Sequence, residues 1–215
     1  VIHHQHYALY PQVNRLICQN NVAVLLGPET EMNPDIFLPP QVAWATGALA
    51  GGPLIRKTTR LADLPGIFAN SEAWKCGDPQ QSVYDVDVLG SPVGEGALFV
   101  GVTHLHAGRV GDEFFMTRGH FHARREQGEV YFGLRGVGLL LLQTEAGDAR
   151  LEQVTAGSVH NIPPFTAHRL INTGSETLSS LAVWSSIAGH DYAALAEGFV
   201  LRVFAAGQGI EVRHD

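Results

Sequence analysis

Three histidines and a glutamate stand out as residues whose types can do chemistry together: His120-Phe121-His122, Glu129 and His168. Three imidazoles and one carboxylate suit a divalent first-row metal ion, with Fe(II), Mn(II), Zn(II) and Ni(II) all compatible. Residues two apart on a β-strand face the same way, so His120 and His122 can share one ion. His-x-His alone is a weak signal. Glu129 in Glu129-Val-Tyr-Phe-Gly and His168 in Pro163-Pro-Phe-Thr-Ala-His168 place the ligands on two independent segments and make it strong. Four such ligands leave room in an octahedral shell for a substrate's oxygens. The expectation is one divalent ion per subunit. His104-Leu-His106 is a second His-x-His, but no carboxylate follows at comparable spacing. His3, His4 and His6 are read as adventitious at most.

The elements that must carry these residues read as strands. Runs at 83–89, 96–105, 114–117, 129–132, 138–143, 149–154, 158–162, 167–172 and 178–184 alternate or are continuously apolar. Turn signals such as Ala146-Gly-Asp148 and Thr173-Gly174 separate them. Regular short strands with such punctuation predict a sandwich or barrel. Arg60–Pro65 predicts a short helical turn, limited by Asp63 and Pro65. A short helix is expected after Asn70 or Ser71 as cap. Asp191–Glu197 reads as a late helix, and 199–204 with 209–212 as a closing hairpin. Residues 1–58 are poorly periodic and read as an arm of short strands packed on the barrel or on a partner subunit. Residues 59–215 form the main domain.

The bulk properties fit this picture. A chain of 215 residues with 45% apolar and 16% charged residues can bury one core without staples. Formal charge is −7, which argues against a broad nucleic-acid surface. An anionic substrate would need local positive charge, from a metal, Arg118, Arg169 or backbone N–H groups. No apolar run reaches the roughly 18 residues of a membrane span. The start, Val1-Ile-His-His-Gln-His-Tyr, lacks the features of a signal peptide. Cys18 and Cys76 show no pairing signature. A cytoplasmic protein is expected.

Gly111…His120-Phe-His122…Glu129…Gly136 followed by Gly157…Pro163…His168-Arg-Leu-Ile-Asn172 resembles the two motifs of the cupin family. That resemblance implies an all-β fold, a double-stranded β-helix or jelly-roll barrel, with the N-terminal arm and a few short helices added. Ordinary cupins have three or four residues between the second His and the Glu. Here there are six, Ala123 to Gly128, and Phe165 stands where many cupins have Gly. The longer gap, with Thr117-Arg-Gly-His-Phe-His122, Glu129-Val-Tyr131 and Gly189-His-Asp-Tyr192, looks like the cupin-type glucose-6-phosphate isomerases. The similarity runs from about Arg60 to Phe199.

The resemblance implies a metal-dependent interconversion of glucose 6-phosphate and fructose 6-phosphate in glycolysis or gluconeogenesis, by a homodimer that holds Fe(II) first among the candidate ions. It implies His120, His122, Glu129 and His168 as metal ligands, and Glu129, His190 and Tyr192 as catalytic residues. Tyr84, Thr103, Thr117, Gly119, Tyr131 and Trp184 would meet substrate. Trp184 stands where the family has Tyr, and a Tyr can also occur at Phe165. With Thr103 facing inward, His104 and His106 should face the other way. Two rival readings are a metal-dependent cupin dioxygenase and a cupin that binds sugar phosphate without turning it over.

Overall fold

The computed structural model describes residues 37–207 and 209–215. His3, His4, His6, Cys18 and most of the expected arm lie outside the described residues. Leu38–Asp215 make one compact unit. Its larger sheet has six strands: β1 (Leu54–Arg60), β2 (Ser82–Leu89), β3 (Leu98–Leu105), β4 (Glu129–Arg135), β7 (Val159–Ile162) and β9 (Leu178–Ser185). Their order across the sheet is β7-β4-β9-β3-β2-β1. The smaller sheet runs β6-β5-β8, from Ala149–Val154, Gly138–Thr144 and Thr166–Ile171. Met116 and His120 bridge to Ile171 and His168, so the 116–121 segment adds a fourth member beside β8. Six strands facing a four-membered sheet in this order make a jelly roll, and the all-β cupin fold expected from the sequence is the fold observed.

Residue alternation explains which side chains meet inside. Tyr84 pairs with Leu105, Val86 with Thr103, and Thr103 with Ser180. Glu129 and Tyr131 lie opposite Trp184 and Ala182 on the same inner face. In the smaller sheet, Leu140, Leu141 and Leu142 are all buried. Both faces of β5 are covered, so the strand reads as an unbroken apolar run rather than an alternating one. One core cluster fills the barrel, drawing on Leu105, Leu142, Leu170 and Ala182 among others. A second, of Leu49, Val102 and Leu134, lies on the outer face of the larger sheet. Leu49 belongs to a small ribbon in which Gln41–Val42 pairs with Leu49–Ala50.

The short helix appears as α1 (Ser71–Cys76), capped by Asn70, whose side chain accepts from the Ala73 N–H at 2.9 Å. Cys76 on it is exposed and free. Leu61–Asp63 form a single 3₁₀ turn. The closing hairpin pairs β10 (Leu201–Ala206) with β11 (Gly209–His214). Among the described residues no helix is long and apolar enough to cross a membrane.

Two local expectations are corrected. Asp191–Glu197 is not a helix beyond the 3₁₀ turn Ala193–Leu195. Asp191 is held extended because it exchanges both backbone hydrogen bonds with Phe121, and Gly198 turns the chain away at φ 85°. The 114–117 run is not one strand either. Glu113 pairs with Phe204 on the C-terminal sheet, whereas Met116 bridges to Ile171 on the barrel, so the chain changes partner within the run.

Phe165, between β7 and β8, has φ 60°. This is the left-handed conformation that glycine adopts without penalty, and a β-carbon there costs about 1–2 kcal/mol. Phe165 is 55% exposed, so packing returns little of that cost. Glycine adds unfolded-state entropy, which removes part of the gain. Phe165→Gly is therefore expected to stabilise the fold by roughly 0.5–1 kcal/mol in urea titration. A clear loss of stability would show that the ring makes contacts worth more than the strain.

Candidate metal centre

Glu129 is the first residue of β4 and projects from the larger sheet. His168 projects from β8, and His120 and His122 from the segment beside it, all from the smaller sheet. One ligand atom from each of the four lies within 4.8 Å of the others. His122, Glu129 and His168 are buried, at 4%, 7% and 1% exposure, while His120 is partly open. Nε2 of His122 and Nε2 of His168 each stand 3.1 Å from Glu129 Oε2.

Hydrogen bonding decides what these atoms can do. His122 Nδ1 lies 2.8 Å from the Gln127 carbonyl, which can only accept, so Nδ1 carries a proton and Nε2 turns toward Glu129. A lone pair and a carboxylate oxygen 3.1 Å apart need a cation between them, either a proton or a metal ion. His168 presses the point further: among the described residues its buried Nδ1 has no partner, and its Nε2 meets only the Glu129 carboxylate, without hydrogen-bond geometry. A buried polar group left this way is costly unless a ligand satisfies it. The donor set therefore fits a single divalent ion.

The electrostatics agree. Burial pushes the Glu129 carboxyl up, but the His122 and His168 imidazoles outweigh it and hold the group below the usual carboxylate range. Burial opposes charge on His122, yet its hydrogen bonds to Glu129 and the Gln127 carbonyl raise it above the usual histidine range. His120 is pushed far down by burial, and then by His168, His190 and His122. It stays neutral, as a ligand must.

The remaining sequence candidates divide between the inner wall and the rim. His190 lies with its ring centroid 4.3 Å from that of His120 and stacks on Tyr192 at 5.7 Å with 8° between planes. Both are exposed, Tyr192 at 44%, and they form an edge of the opening. Tyr131 stands edge-on to His168 at 5.7 Å. Burial, then Glu129, raises its phenol well above the ordinary value, so it remains a proton donor. Trp184 lies opposite Glu129 in the sheet and packs edge-on against Phe99. A β-carbon on Gly101 would come within 3.1 Å of the Trp184 ring, so glycine makes room for the indole. Thr103 and Tyr84 are on the inner face. Thr117 and Gly119 are in the segment leading to His120, and the Thr117 hydroxyl oxygen accepts from the Leu170 N–H. His104 and His106 face outward, against Ser179 and Asp85.

One residue that sequence reasoning missed explains the six-residue gap. Arg125, inside that gap, donates to the His122 carbonyl, to Asp191 Oδ2 at 2.6 Å and to Glu145 Oε1 at 3.0 Å. The Arg124 N–H donates to Ala188 O, and Asp191 exchanges backbone bonds with Phe121. The long loop thus docks the 188–192 segment against the His-x-His strand and carries His190 and Tyr192 to the His/Glu cluster. Its only sequence signal was the gap length itself.

A family model described as glucose-6-phosphate isomerase matches residues 58–215. A glucose-6-phosphate isomerase from Thermococcus litoralis is 44% identical over 164 residues, covering 74% of this chain and 85% of that protein. One from Pyrococcus horikoshii is 41% identical over 161 residues, covering 73% and 83%. Among solved structures, a cupin 2 conserved barrel domain protein from Rhodopseudomonas palustris aligns with a TM-score of 0.43 at 20% identity, over 72% of this chain and 83% of that one.

His168→Ala is expected to weaken Mn(II) binding, read by calorimetry or electron paramagnetic resonance, by roughly 100-fold or more. Full occupancy in that variant would remove His168 from the ligand set. Affinity should also depend on pH with a fixed sign. His122 must shed its extra proton to ligate, and that proton is held above the usual histidine range. Mn(II) affinity should therefore fall as pH is lowered from about 8 to about 6. A flat profile over that window contradicts ligation by His122.

Proposed function

The chain belongs to the glucose-6-phosphate isomerase family, and on that premise we propose that it interconverts glucose 6-phosphate and fructose 6-phosphate with one divalent ion held by His120, His122, Glu129 and His168. The observation that carries the metal reading is His168, fully buried, with an unpartnered Nδ1 and an Nε2 that meets a buried carboxylate without a hydrogen bond. Fe(II) is the ion we assign, within a donor set that Mn(II), Zn(II) or Ni(II) also suits. Bound there, the ion supplies Lewis-acid stabilisation of negative charge on neighbouring substrate oxygens.

The protein's own groups do the rest. Aldose–ketose isomerisation moves one proton between adjacent carbons and a second between their oxygens. Glu129 is the carboxylate at the ligand cluster, and its depressed pKa keeps it unprotonated and able to accept a proton at neutral pH. It would take the proton from one carbon and return it to the next. Tight ligation makes a carboxylate a poorer base, so the alternative is a direct hydride shift with Glu129 moving only the hydroxyl proton. His190 and Tyr192 stand where the sugar's oxygens would enter and can orient them or relay a proton. At the other end, Tyr84, Thr103, Thr117 and Gly119 offer hydroxyls and a backbone N–H to the phosphate. Tyr131 and Trp184 wall the cavity on the Glu129 side.

Subunit pairing as a homodimer goes with this reading. Trp44, Val130 and Val159 are exposed apolar side chains, at 67%, 42% and 66%, and Val130 and Val159 share the outer face of the larger sheet. Sedimentation should show twice the chain mass, and a monomer at micromolar concentration would remove the proposal. The reading also places the protein in the cytoplasm, which cell fractionation tests.

Complete chelation should lower fructose 6-phosphate turnover by about 100-fold or more, since Lewis-acid stabilisation contributes several kcal/mol, and Fe(II) should restore it. Activity that survives chelation sinks the metal mechanism. In deuterated water, deuterium at the product carbon marks the proton shuttle. Its complete absence transfers the reaction to the hydride shift. Oxygen consumption with Fe(II) and no isomerisation would favour a dioxygenase instead.

A further inference from the structure

We propose that Arg169, a buried arginine with no carboxylate partner among the described residues, is a positioning residue that fixes the bulge between Thr117 and His120 so that the Gly119 N–H faces the substrate phosphate. This rests on the phosphate reading given above for Thr117 and Gly119, and adds what holds that subsite in shape.

The bulge is visible in the pairing with β8. The Thr117 N–H donates to Leu170 O at 2.9 Å, and His120 exchanges bonds with His168 at 3.3 and 3.1 Å. Arg118 and Gly119 therefore stand opposite the single residue Arg169. One extra residue in a strand bends it and re-aims its groups. Gly119 has φ 73°, and a β-carbon there would lie 2.6 Å from the Phe199 ring and 3.1 Å from Arg169 Cβ. No other residue fits, so the sequence at this point is set by the bulge.

Arg169 is 4% exposed. One of its terminal nitrogens donates to the Arg118 carbonyl at 2.6 Å, and the other lies 3.0 Å from Met116 Sδ. The guanidinium sits 4.5 Å over the Phe199 ring. Its Nε has no partner among the described residues. The nearby buried carboxylate, Glu113, is taken by Arg202 at 2.9 Å. Burying a cation without a counter-ion is expensive, and apolar packing alone would be served better by methionine or leucine. What the arginine adds is a charged donor aimed at one backbone carbonyl.

That carbonyl decides where the next N–H points. The peptide is trans, so the Arg118 C=O and the Gly119 N–H point in opposite directions. Arg169 alternates with His168 along β8 and draws the carbonyl to the face away from the metal ligands. The Gly119 N–H is thereby turned toward the barrel interior, and it has no acceptor among the described residues. The Thr117 hydroxyl already accepts from the Leu170 N–H at 3.1 Å, which leaves its own hydrogen free to donate beside it. Two donors on one bulge suit a phosphate.

Arg169→Met keeps length and removes the donor. With the metal site loaded, it should raise KM for fructose 6-phosphate and the inhibition constant of inorganic phosphate together, by roughly tenfold, the loss expected for one misaimed donor, while kcat changes much less. Inorganic phosphate should shift the Gly119 amide resonance in the natural protein and not in the variant. Arg169→Lys, which keeps the charge without the planar fork, should fall between the two. A folded Arg169→Met protein with unchanged KM and phosphate inhibition overturns the proposal. So does a loss confined to kcat and metal occupancy, which would mean that Arg169 acts through His168. If Arg169→Met does not fold, Arg169→Lys carries the test, and natural KM and inhibition there overturn it. A natural protein whose Gly119 amide ignores phosphate defeats the phosphate-subsite reading and this inference with it. An amide that responds equally in both proteins defeats only the inference.

Discussion

Everything in this barrel is arranged around one buried carboxylate. Glu129 is 7% exposed, and an unpaired carboxylate there would be driven to protonate or would unfold its surroundings. Its compensation comes from the opposite sheet, through Nε2 of His122 and of His168 at 3.1 Å. The two sheets are thus joined by chemistry as well as by apolar packing. A slip of one residue in β4 or β8 would turn a ligand to the wrong face and leave charge without a partner. Folding in register and assembling the site are the same event.

The loop between His122 and Glu129 extends that logic outward. A shorter connection would join the two ligands equally well, because the barrel geometry already brings them together. The extra residues hold Arg125, which ties the His122 carbonyl to Asp191, and so bind the rim to the ligand strand. That tie adds a side-chain clamp to the backbone bonds from Phe121 and Arg124 that hold the segment bearing His190 and Tyr192. The loop gives the His/Glu cluster a second wall.

How much of this the sequence could say depends on the range of the interaction. The clustering of His120, His122, Glu129 and His168 was legible because strand alternation is local: His120 and His122 must share a face, and a carboxylate and an imidazole in recognisable motifs join them. The strands of the barrel were legible for the same reason, as was the Asn70 cap. The failures are all long-range. Asp191–Glu197 has helical composition, but Asp191 is claimed by Phe121, some 70 residues earlier. The 114–117 run looked like one strand because nothing local tells Phe114 and Met116 that they belong to different sheets. Arg125 and Arg169 are ordinary arginines in the sequence. Their distant partners, Asp191 for Arg125 and the Arg118 carbonyl for Arg169, lie 66 and 51 residues away and are met only once the chain has folded. Phe165 is the converse case. Its departure from glycine was visible, and the left-handed backbone that makes it matter was not.

The charge distribution resolves an apparent conflict between the chain and an anionic substrate. The formal charge of −7 opposes a sugar phosphate at long range. At the site the balance is local. Most described arginines are neutralised by carboxylates, including Arg56, Arg125 and Arg202. Arg118 and Arg169, on either side of the bulge, have no carboxylate partner among the described residues. Arg118 instead donates to the Asp63 carbonyl and covers the Tyr192 ring at 5.3 Å. Cations matched to backbone carbonyls and aromatic faces keep most of their field, whereas cations in ion pairs lose it. A divalent ion held by Glu129 and the three imidazoles would add to the same sign. Solvent screening removes the distant negative charge within about 8–10 Å, and the half-buried interior screens the near positive charge much less. A net acidic protein can therefore keep positive charge where an anion would bind, and Arg118, unpaired with carboxylate and lying over the Tyr192 ring, is one source of it.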